Sequence, residues 1–471
     1  MTYPSILRGI AIAAAIVAGA GAYAFTAAPL PDPRIPGYHF PEPEATVLGW
    51  VTDMASGSAT AQSSFNSAHL HGWGLWTALT AETAQSDNDE HLRVFETWYT
   101  PQELSGQSLL NPGLGSGGAA RLRSTITGFR QFRAQGDRLN ASSAPAGGSE
   151  TVFGYVKFDP TAAAHIASQG LLSASTLGQL LLGGAQQIPV FPQTAIALKS
   201  AFQVITRKTL VGGRYYRLNA WTGPPATPQA WPPFAWPGVV WIDVLGGGHG
   251  AGQVDFLAST DGGSRTEATT YPVTSLINHR LSTLEALEFN MSDPTAGAEA
   301  GDYAVLVAMH VAGREIDRWT WQTFWWSPTP ADPQLPSSAA IAALRPRQLS
   351  GAARNYAMAL GYEMLTPGQP NVGGRNEGAA IYAYNPYLEA RFGPANLPDS
   401  IPGNDPSGQP AANNTGVTCN CMSCHIRSNY NPGGLSTAPG YAGARYTDIN
   451  DPQFAGTLQV DFLWSIAELA N

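Results

Sequence analysis

Residues 303–326 read YAVLVAMHVAGREIDRWTWQTFWW and contain the clearest structural unit of the chain. The first run, residues 303–311, is almost entirely apolar, which is typical of a buried strand. Residues 312–314 interrupt that run with a glycine, and the Trp-rich residues 315–326 form a second β-like run. The stretch therefore predicts a β-hairpin in which a short turn joins two strands.

Around the hairpin, between residues 51 and 330, short apolar or aromatic runs alternate with clusters of Gly, Pro, Asn and Ser. This pattern predicts strands more than helices. The strongest helix signal begins at Asp159, which can cap an N-terminus, and ends at Gly170. Further strands are predicted over residues 152–158 and 239–244, and helices over residues 161–169, 282–289 and 340–344.

The C-terminal part is predicted to be irregular and then helical. Residues 367–417 are rich in Gly, Pro and Asn, apart from the aromatic residues 381–392. So long an irregular stretch is typically disordered or functional, and we favour a functional one. Residues 451–470 begin with Asp-Pro and space four apolar side chains four residues apart, which predicts an amphipathic terminal helix. These side chains are Phe454, Leu458, Phe462 and Ile466.

Length and composition limit the class of protein. The 471 residues suffice for two or three domains of about 150 residues. Charged residues make up 13% of the chain, against roughly 25% in an average soluble domain, and the net charge of −9 excludes a protein that coats nucleic acid. With 51 Gly and 37 Pro, the chain is expected to be rich in loops.

We predict an α+β fold: a β-rich domain with hairpins and few short helices over residues 25–335, and a loop-rich, partly helical region over residues 336–471.

The N-terminus is typical of an export signal. Arg8 precedes the small apolar residues 9–24, and the triplet AYA at 22–24 fits a cleavage site, so residues 1–24 are predicted to be a signal peptide. The apolar run can also extend to Ala28 as an uncleaved membrane anchor, and a buried helix of the mature fold is a third interpretation. In a bacterium the protein is then expected in the periplasm, or anchored in the inner membrane facing the periplasm.

All three cysteines lie within residues 419–425, which read CNCMSCH. Cys421, Cys424 and His425 form the pattern C-x-x-C-H, by which haem c is attached. Two thiols three positions apart share one helical turn and can add to the two vinyl groups of one porphyrin, while the adjacent imidazole binds the iron. By chance, only about 4 × 10⁻⁴ such patterns are expected for this composition. The sequence therefore predicts one covalent haem c, with His425 as the proximal iron ligand.

Other uses of these residues remain open. Cys419 and the C-x-x-C-H residues together could bind zinc, although structural zinc usually takes ligands from two separated loops. An iron–sulfur cluster normally needs four cysteines, and a thioredoxin-like pair normally lies in a βαβ unit. Cys419 itself is interpreted as a spare thiol, an intermolecular disulfide partner or a redox contact at the haem edge.

The segments CMSCH and VDFLWSIAELA resemble c-type cytochromes. Together with residues 309–326 and 385–392 (NPYLEARF), they also resemble large bacterial monohaem cytochrome c family proteins, over about a third of the chain. The resemblance implies a secreted protein with one haem and does not supply a reaction. Small cytochromes usually present a Met some tens of residues after the motif, whereas here no Met follows Met422.

A sixth iron ligand would have to precede the motif or be another type of side chain, because no His or Met follows His425. His310 is the first candidate, since it ends an apolar strand beside the Trp-rich run. Met364 and Met358 come next, because they directly precede the irregular region. An ordinary core role is the alternative for all three.

Further residues allow a functional and a structural interpretation. Four of the 13 Trp lie within eight residues and indicate either core packing or a haem-facing wall that relays electrons. These are Trp319, Trp321, Trp325 and Trp326. On a strand, His69 and His71 would share a face as a weak metal-binding pair. Glu315 and Asp317 are expected on one solvated edge of the hairpin.

Three classes of function fit these observations. The leading prediction is a periplasmic electron carrier that reacts with a redox partner protein or with a small-molecule reductant or oxidant. The second is a haem peroxidase or oxidase with an open distal site, because some three hundred residues exceed what electron transfer needs. The third is a haem-based redox or gas sensor. Nucleic acid is not expected as a partner, and membrane contact is expected only if the N-terminal segment stays uncleaved.

Overall fold

The computed structural model describes residues 27–106, 121–124, 126–128, 152–256, 265–370, 372–374, 378–393, 415–432 and 446–470. The predicted signal peptide, residues 1–24, lies outside them. The helices are α1 (Glu44–Ser56), α2 (Ala61–Thr80), α3 (Pro101–Leu104), α4 (Pro160–Gln169), α5 (Ala174–Leu182), α6 (Thr283–Ser292), α7 (Ala339–Ala343), α8 (Cys421–His425) and α9 (Trp464–Leu469). Among the described residues, none of these helices combines the length and the apolar character that crossing a membrane requires.

The strands are β1 (Glu82–Asp87), β2 (Glu90–Arg93), β3 (Thr127–Gly128), β4 (Phe153–Phe158), β5 (Ile196–Ile205), β6 (Leu210–Val211), β7 (Tyr215–Ala220), β8 (Gly238–Asp243), β9 (Asp255–Phe256), β10 (Thr270–Pro272), β11 (Asn278–Arg280), β12 (Tyr303–Gly313), β13 (Thr320–Trp326), β14 (Tyr356–Gly361), β15 (Leu365–Thr366), β16 (Ala379–Ala380), β17 (Asn429–Tyr430) and β18 (Leu458–Gln459). The chain has a mixed α+β fold, as the sequence predicts.

The predicted hairpin forms the centre of the largest sheet. Strands β12 and β13 pair antiparallel from Ala308 opposite Trp325 to Gly313 opposite Thr320, which confirms the hairpin. Its connection, residues 314–319, is longer than the predicted turn. The sheet runs in the order β14-β13-β12-β5-β4-β3, and β11 pairs with the start of β12. Strand β14, which follows the predicted domain boundary after residue 335, therefore joins the same sheet as the strands before it.

Because successive side chains of a strand point to opposite sides, this sheet has two distinct faces. His310 lies opposite Lys199 on β5 and opposite Thr323 on β13, so these side chains and Trp321 share a face, which we name the front face. Met309, Phe324 and Met358 lie opposite one another at the intervening positions and define the back face.

Helix α2 covers the back face. The rings of Trp76 and Phe324 stack with their centroids 4.3 Å apart. A Cβ atom added at Gly72 would lie 2.7 Å from the sulfur of Met358, so only glycine allows the helix to lie this close to the sheet. The prediction of mainly strand structure from residue 51 onward is wrong for α1 and α2. Residues 71–80 are all buried, so this half of α2 lacks the alternation of apolar and polar faces by which a helix is recognised in a sequence.

The front face is covered by the segment 378–393 and by a second sheet. Asn385 donates a hydrogen bond to the hydroxyl of Thr323 (2.8 Å), and the hydroxyl of Tyr387 donates to the carbonyl of Asn219 on β7 (2.9 Å). Strand β7 belongs to a five-stranded sheet with the order β10-β8-β7-β6, in which β9 pairs with β8. The segment that contains the predicted aromatic residues 381–392 thus bridges the two sheets.

Several local predictions are confirmed. Strands β4 and β8 lie where runs 152–158 and 239–244 predict them, and α6 and α7 agree with the weaker helix predictions within three residues. The carboxylate of Asp159 accepts hydrogen bonds from the backbone nitrogens of Thr161 and Ala162 and so caps α4, which ends at Gly170 with φ 63°.

The predicted amphipathic helix over residues 451–470 is wrong. Pro452–Phe454 form one 3-10 turn and α9 is helical at the end of the segment, but between them Leu458 lies on strand β18, which pairs with β17. Asp461 and Phe462 have positive φ angles of 46° and 67°, which no α-helix accommodates. Contacts with remote segments therefore override the four-residue spacing of apolar side chains.

Candidate functional site

The C-x-x-C-H residues form the single-turn helix α8. Asn420 caps it, because the side-chain oxygen accepts hydrogen bonds from the backbone nitrogens of Met422 (2.9 Å) and Ser423 (3.4 Å). The backbone nitrogen of Cys421 donates to the carbonyl of Ala383 in the segment over the front face (3.2 Å). The turn is therefore fixed at its start, and both thiols and the imidazole project from one short helix.

The two motif thiols are free and shielded. Neither Cys421, which is buried, nor Cys424, which is partly accessible, forms a disulfide. Burial raises the pKa of the Cys424 thiol to about 11 and that of Cys421 well above its usual range. Cys419 is also a buried thiol, which disagrees with its interpretation as an intermolecular disulfide partner.

The imidazole of His425 is held in one tautomer. Its Nδ1 lies 2.7 Å from the carbonyl oxygen of Phe462, and since a carbonyl only accepts, Nδ1 carries the hydrogen. Burial lowers the pKa of His425 to about 4, and electrostatic interaction with the neighbouring Lys199 lowers it further. The ring is therefore neutral near pH 7, and the lone pair of Nε2 is left for a metal ion.

Trp321 connects the motif to the front face. Its ring lies 4.2 Å, centroid to centroid, from the ring of His425 at an angle of 40°, and its indole nitrogen donates to the carbonyl of Arg318. Trp319 lies in the hairpin loop, where its ring contacts Phe191. Within the described part of the chain, Trp321 is the one of the four clustered tryptophans whose ring contacts the motif imidazole.

His310 lies on the front face in a polar cluster. Its Nε2 is 2.8 Å from a carboxylate oxygen of Glu389, whose other oxygen accepts from the backbone nitrogen of Asn385 (2.7 Å). Burial alone would raise the pKa of Glu389, but the charge and hydrogen bond of His310 hold it below its usual value. Nδ1 of His310 is buried and, among the described residues, has no hydrogen-bond partner. Lys199 is next to His310 on β5, and burial lowers the pKa of its ammonium group.

The two methionine candidates have different positions. Met358 is on the back face, where its sulfur lies against Gly72, so the sheet separates it from the front face. This position on the opposite face of the sheet from His310 disfavours Met358 as an iron ligand. Met364 is fully buried, and its carbonyl accepts from the backbone nitrogen of Ile381, close to the segment that holds the motif.

The predicted His69–His71 pair does not form. Both residues lie on helix α2, where a two-residue spacing turns them away from each other. Nδ1 of His69 contacts the carbonyl of Phe65 (2.7 Å), whereas Nε2 of His71 lies 2.9 Å from a carboxylate oxygen of Glu315. Glu315 is fully buried, so the predicted solvated edge is wrong for Glu315, although the side chain of Asp317 is exposed.

The donor set at α8 fits a haem. A porphyrin supplies its own ring of nitrogen ligands, so the protein has to offer thiols for attachment and an axial donor, and the neutral imidazole of His425 and the two free thiols are such groups. Within the described part of the chain, no three His, Cys, Asp or Glu side chains form a group that could hold a metal ion alone. Small side chains surround His310 and Trp321 on the front face and allow other groups to approach the sheet. These are Ala197, Ala201, Ala308, Ala312, Ala357, Ala359 and Gly361.

Comparisons with known proteins give no further assignment. No protein-family model matches the chain, and neither a curated protein nor a solved structure matches it.

Sequence reasoning missed three groups that hold the site. Asn420 carried a signal, because Asn directly before a helical turn is a typical cap. Glu389 had none, since its partner His310 lies 79 positions earlier in the chain. Phe462 contributes only its backbone carbonyl, which no side-chain pattern reveals.

Proposed function

We propose that the protein is an exported c-type cytochrome that carries one covalently attached haem and takes part in periplasmic electron transfer. Cys421 and Cys424 would hold the haem through thioether bonds, and His425 would bind the iron through Nε2. When bound, haem c supplies a reversible one-electron couple between ferric and ferrous iron.

The observation that carries the proposal is the hydrogen bond between Nδ1 of His425 and the carbonyl of Phe462. Imidazoles that bind metal ions usually donate their second ring hydrogen to a carbonyl or carboxylate, which fixes the tautomer and the orientation of the ring. A buried core histidine can make the same bond, as His69 does with the carbonyl of Phe65, so the bond distinguishes His425 only in combination with its neighbours. Together with two free thiols on the same helical turn, it supports an axial role for His425.

The surroundings of α8 fit electron transfer. Trp321 contacts the ring of His425 and can exclude water from it. Exclusion of water lowers the local dielectric constant, which is one of the ways in which a protein sets the reduction potential of a haem iron. The redox partner would be a protein or a small-molecule reductant or oxidant. We place the protein in the periplasm on the basis of residues 1–24, with attachment to the inner membrane as the alternative if this segment is not cleaved.

The test is maturation of the full chain in a bacterial host that exports it and attaches haem c. Mass spectrometry of the purified protein should show one added haem, and the pyridine haemochrome spectrum should indicate two thioether bonds. Cys421→Ala and Cys424→Ala should each weaken covalent attachment, and the double variant should abolish it. Cys419→Ala, which removes the neighbouring thiol outside the motif, is the matched control and should keep the haem.

Two results would contradict this proposal. One is an unmodified wild-type polypeptide from a host that matures another c-type cytochrome in parallel. The other is covalent haem retained by the double cysteine variant.

A haem peroxidase or oxidase is the second candidate, because of the pair formed by His310 and Glu389. A histidine oriented by a carboxylate, with a buried second ring nitrogen, can accept a proton from a substrate if it does not bind the iron. Low-spin spectra that cyanide and carbon monoxide leave unchanged would favour the carrier. High-spin spectra that these ligands shift would favour the enzyme or a gas sensor.

A further inference from the structure

The carbonyl that orients His425 comes from an unusual stretch of backbone. Asp461 and Phe462 are consecutive residues with φ angles of 46° and 67°. This left-handed region is rarely adopted by residues other than glycine, and bulky side chains such as that of Phe462 avoid it most. Such a conformation persists only where surrounding contacts hold it, and it tends to occur at functional sites.

The side chain of Asp461 supplies those contacts. It is fully buried, and one carboxylate oxygen accepts hydrogen bonds from the backbone nitrogen of Phe191 (3.0 Å) and from Nε of Arg314 (3.2 Å). The other oxygen lies 3.4 Å from the side-chain nitrogen of Gln187. A carboxylate bound from several directions fixes the backbone on both sides of its Cα atom.

Arg314 is itself fixed by the central hairpin. Its backbone nitrogen donates to the carbonyl of Ala195 (3.0 Å), and Nη1 donates to the carbonyl of Ile316 within the hairpin loop (2.7 Å). The side chain is almost completely buried. A continuous set of contacts therefore leads from the hairpin loop through Asp461 to the carbonyl of Phe462 and on to His425.

We propose that the Arg314–Asp461 ion pair positions the imidazole of His425 and thereby sets the reduction potential of the iron that His425 binds. This inference rests on the proposed function. The pair keeps the Phe462 carbonyl at 2.7 Å from Nδ1. A strong hydrogen bond from Nδ1 makes the imidazole a better electron donor and favours ferric iron, which lowers the potential. Arg314 and Asp461 are positioning residues, since neither touches the haem ligand itself.

Loosening the pair should therefore raise the midpoint potential whichever partner is changed. A direct effect of charge predicts a different result: loss of the negative Asp461 would raise the potential, loss of the positive Arg314 would lower it, and a change that keeps the positive charge would leave it unaltered. Arg314→Gln and Arg314→Lys therefore separate positioning from simple electrostatics.

The experiment compares the haem-loaded wild-type protein with Asp461→Asn, Arg314→Gln and Arg314→Lys. We expect a higher midpoint potential in all three and an altered chemical shift of the His425 Nδ1 proton in NMR spectra. Lysine keeps the charge but not the planar, forked donor geometry of the guanidinium group, so Arg314→Lys gives an informative result even if the other two variants fold poorly. Glu103→Gln is the matched control, because it disrupts another buried ion pair, that of Glu103 with Arg121, and should leave the potential unchanged.

The outcomes separate this inference from the proposed function. A wild-type protein without covalent haem would overturn the proposed function. If the wild-type protein carries haem, two results would overturn the positioning role alone. One is a potential and an Nδ1 chemical shift that are unchanged in Arg314→Lys, and the other is a lowered potential in Arg314→Gln.

Discussion

The side-chain nitrogen of Asn420 lies 3.0 Å from the carbonyl oxygen of Glu363, just beyond the last strand of the main sheet. The same nitrogen donates to the carbonyl of Ile381 at 2.8 Å, while the side-chain oxygen caps α8. One fully buried amide thus joins the motif helix to the residues that follow β14 and to the segment over the front face. The orientation of both thiols relative to the sheet depends on it.

We expect Asn420→Ala to destabilise the protein and to reduce covalent haem attachment. The change removes a helix cap and leaves one buried and one partly buried carbonyl without their donor, so the free energy of unfolding should fall by about 3 kcal/mol. Urea denaturation of the purified protein measures this change, and the haem-to-protein ratio measures attachment. Asn420→Ser keeps a capping oxygen and should lose less stability; equal losses in the two variants would show that the cap has no part in the effect.

Gly416 should be intolerant of any side chain. A Cβ atom at this position would overlap the backbone carbonyl of Glu389, which cannot move aside as a flexible side chain could. Gly416→Ala should lower the free energy of unfolding by about 3 kcal/mol, as expected for overpacking against backbone, and should disturb the contact between Glu389 and His310. Thermal unfolding gives the stability change.

Gly49→Ala provides the control for that experiment. Gly49 lies on an exposed face of α1 and would meet no atom within 4 Å. Because alanine is the better helix former, this variant should be more stable by up to about 1 kcal/mol. A Gly416→Ala protein as stable as Gly49→Ala would contradict the predicted overlap.

The fold was predictable where its signals are local. The apolar run of β12, the following Trp-rich run and the capped helix α4 depend on neighbours in the chain, and each was predicted from them. Helix α2 was missed because its second half is buried on all sides, which removes the amphipathic period. The C-terminal segment was assigned wrongly because Asp461 is bound by Arg314, a residue 147 positions away.

The candidate site divides in the same way. Cys421, Cys424 and His425 are neighbours in the chain, and their spacing is set by the chemistry of attachment, so a short pattern identifies them. The groups that orient them are a backbone carbonyl at Phe462 and side chains from remote segments, and tertiary structure alone brings these together. The apolar strand indicates His310, but no pattern in the sequence indicates its pairing with Glu389, which is 79 positions away.

His69 should make the protein less stable in mild acid. Burial lowers the pKa of His69 to about 4, whereas in the unfolded chain it titrates near 6.5. Between these values the unfolded state binds a proton that the folded state does not, so stability is fully present above about pH 6.5 and falls as the pH decreases towards 4. The loss from this group amounts to roughly 3 kcal/mol.

The check is the free energy of unfolding measured from pH 7 to pH 4 for wild type and His69→Gln. The variant should show a shallower decrease over this interval, although it also loses the ring contact with Phe65. Replacement of the exposed His39 by Gln is the control and should leave the slope as in wild type. Identical slopes for wild type and His69→Gln would mean that the acid sensitivity arises elsewhere.

Substitution of His310 is the most direct test of which residue supplies the sixth iron ligand. If Nδ1 of His310 binds the iron, with Nε2 oriented by Glu389, the loaded wild-type protein is low-spin and His310→Ala is high-spin, because alanine offers no donor. Visible absorption and electron paramagnetic resonance spectra distinguish the two states. Added imidazole should restore the low-spin spectrum of His310→Ala by occupying the vacated position.

Met364→Leu is the matched control, since it removes the remaining methionine candidate while keeping an apolar side chain of similar size. A low-spin His310→Ala protein together with a high-spin Met364→Leu protein would assign the sixth ligand to Met364 instead.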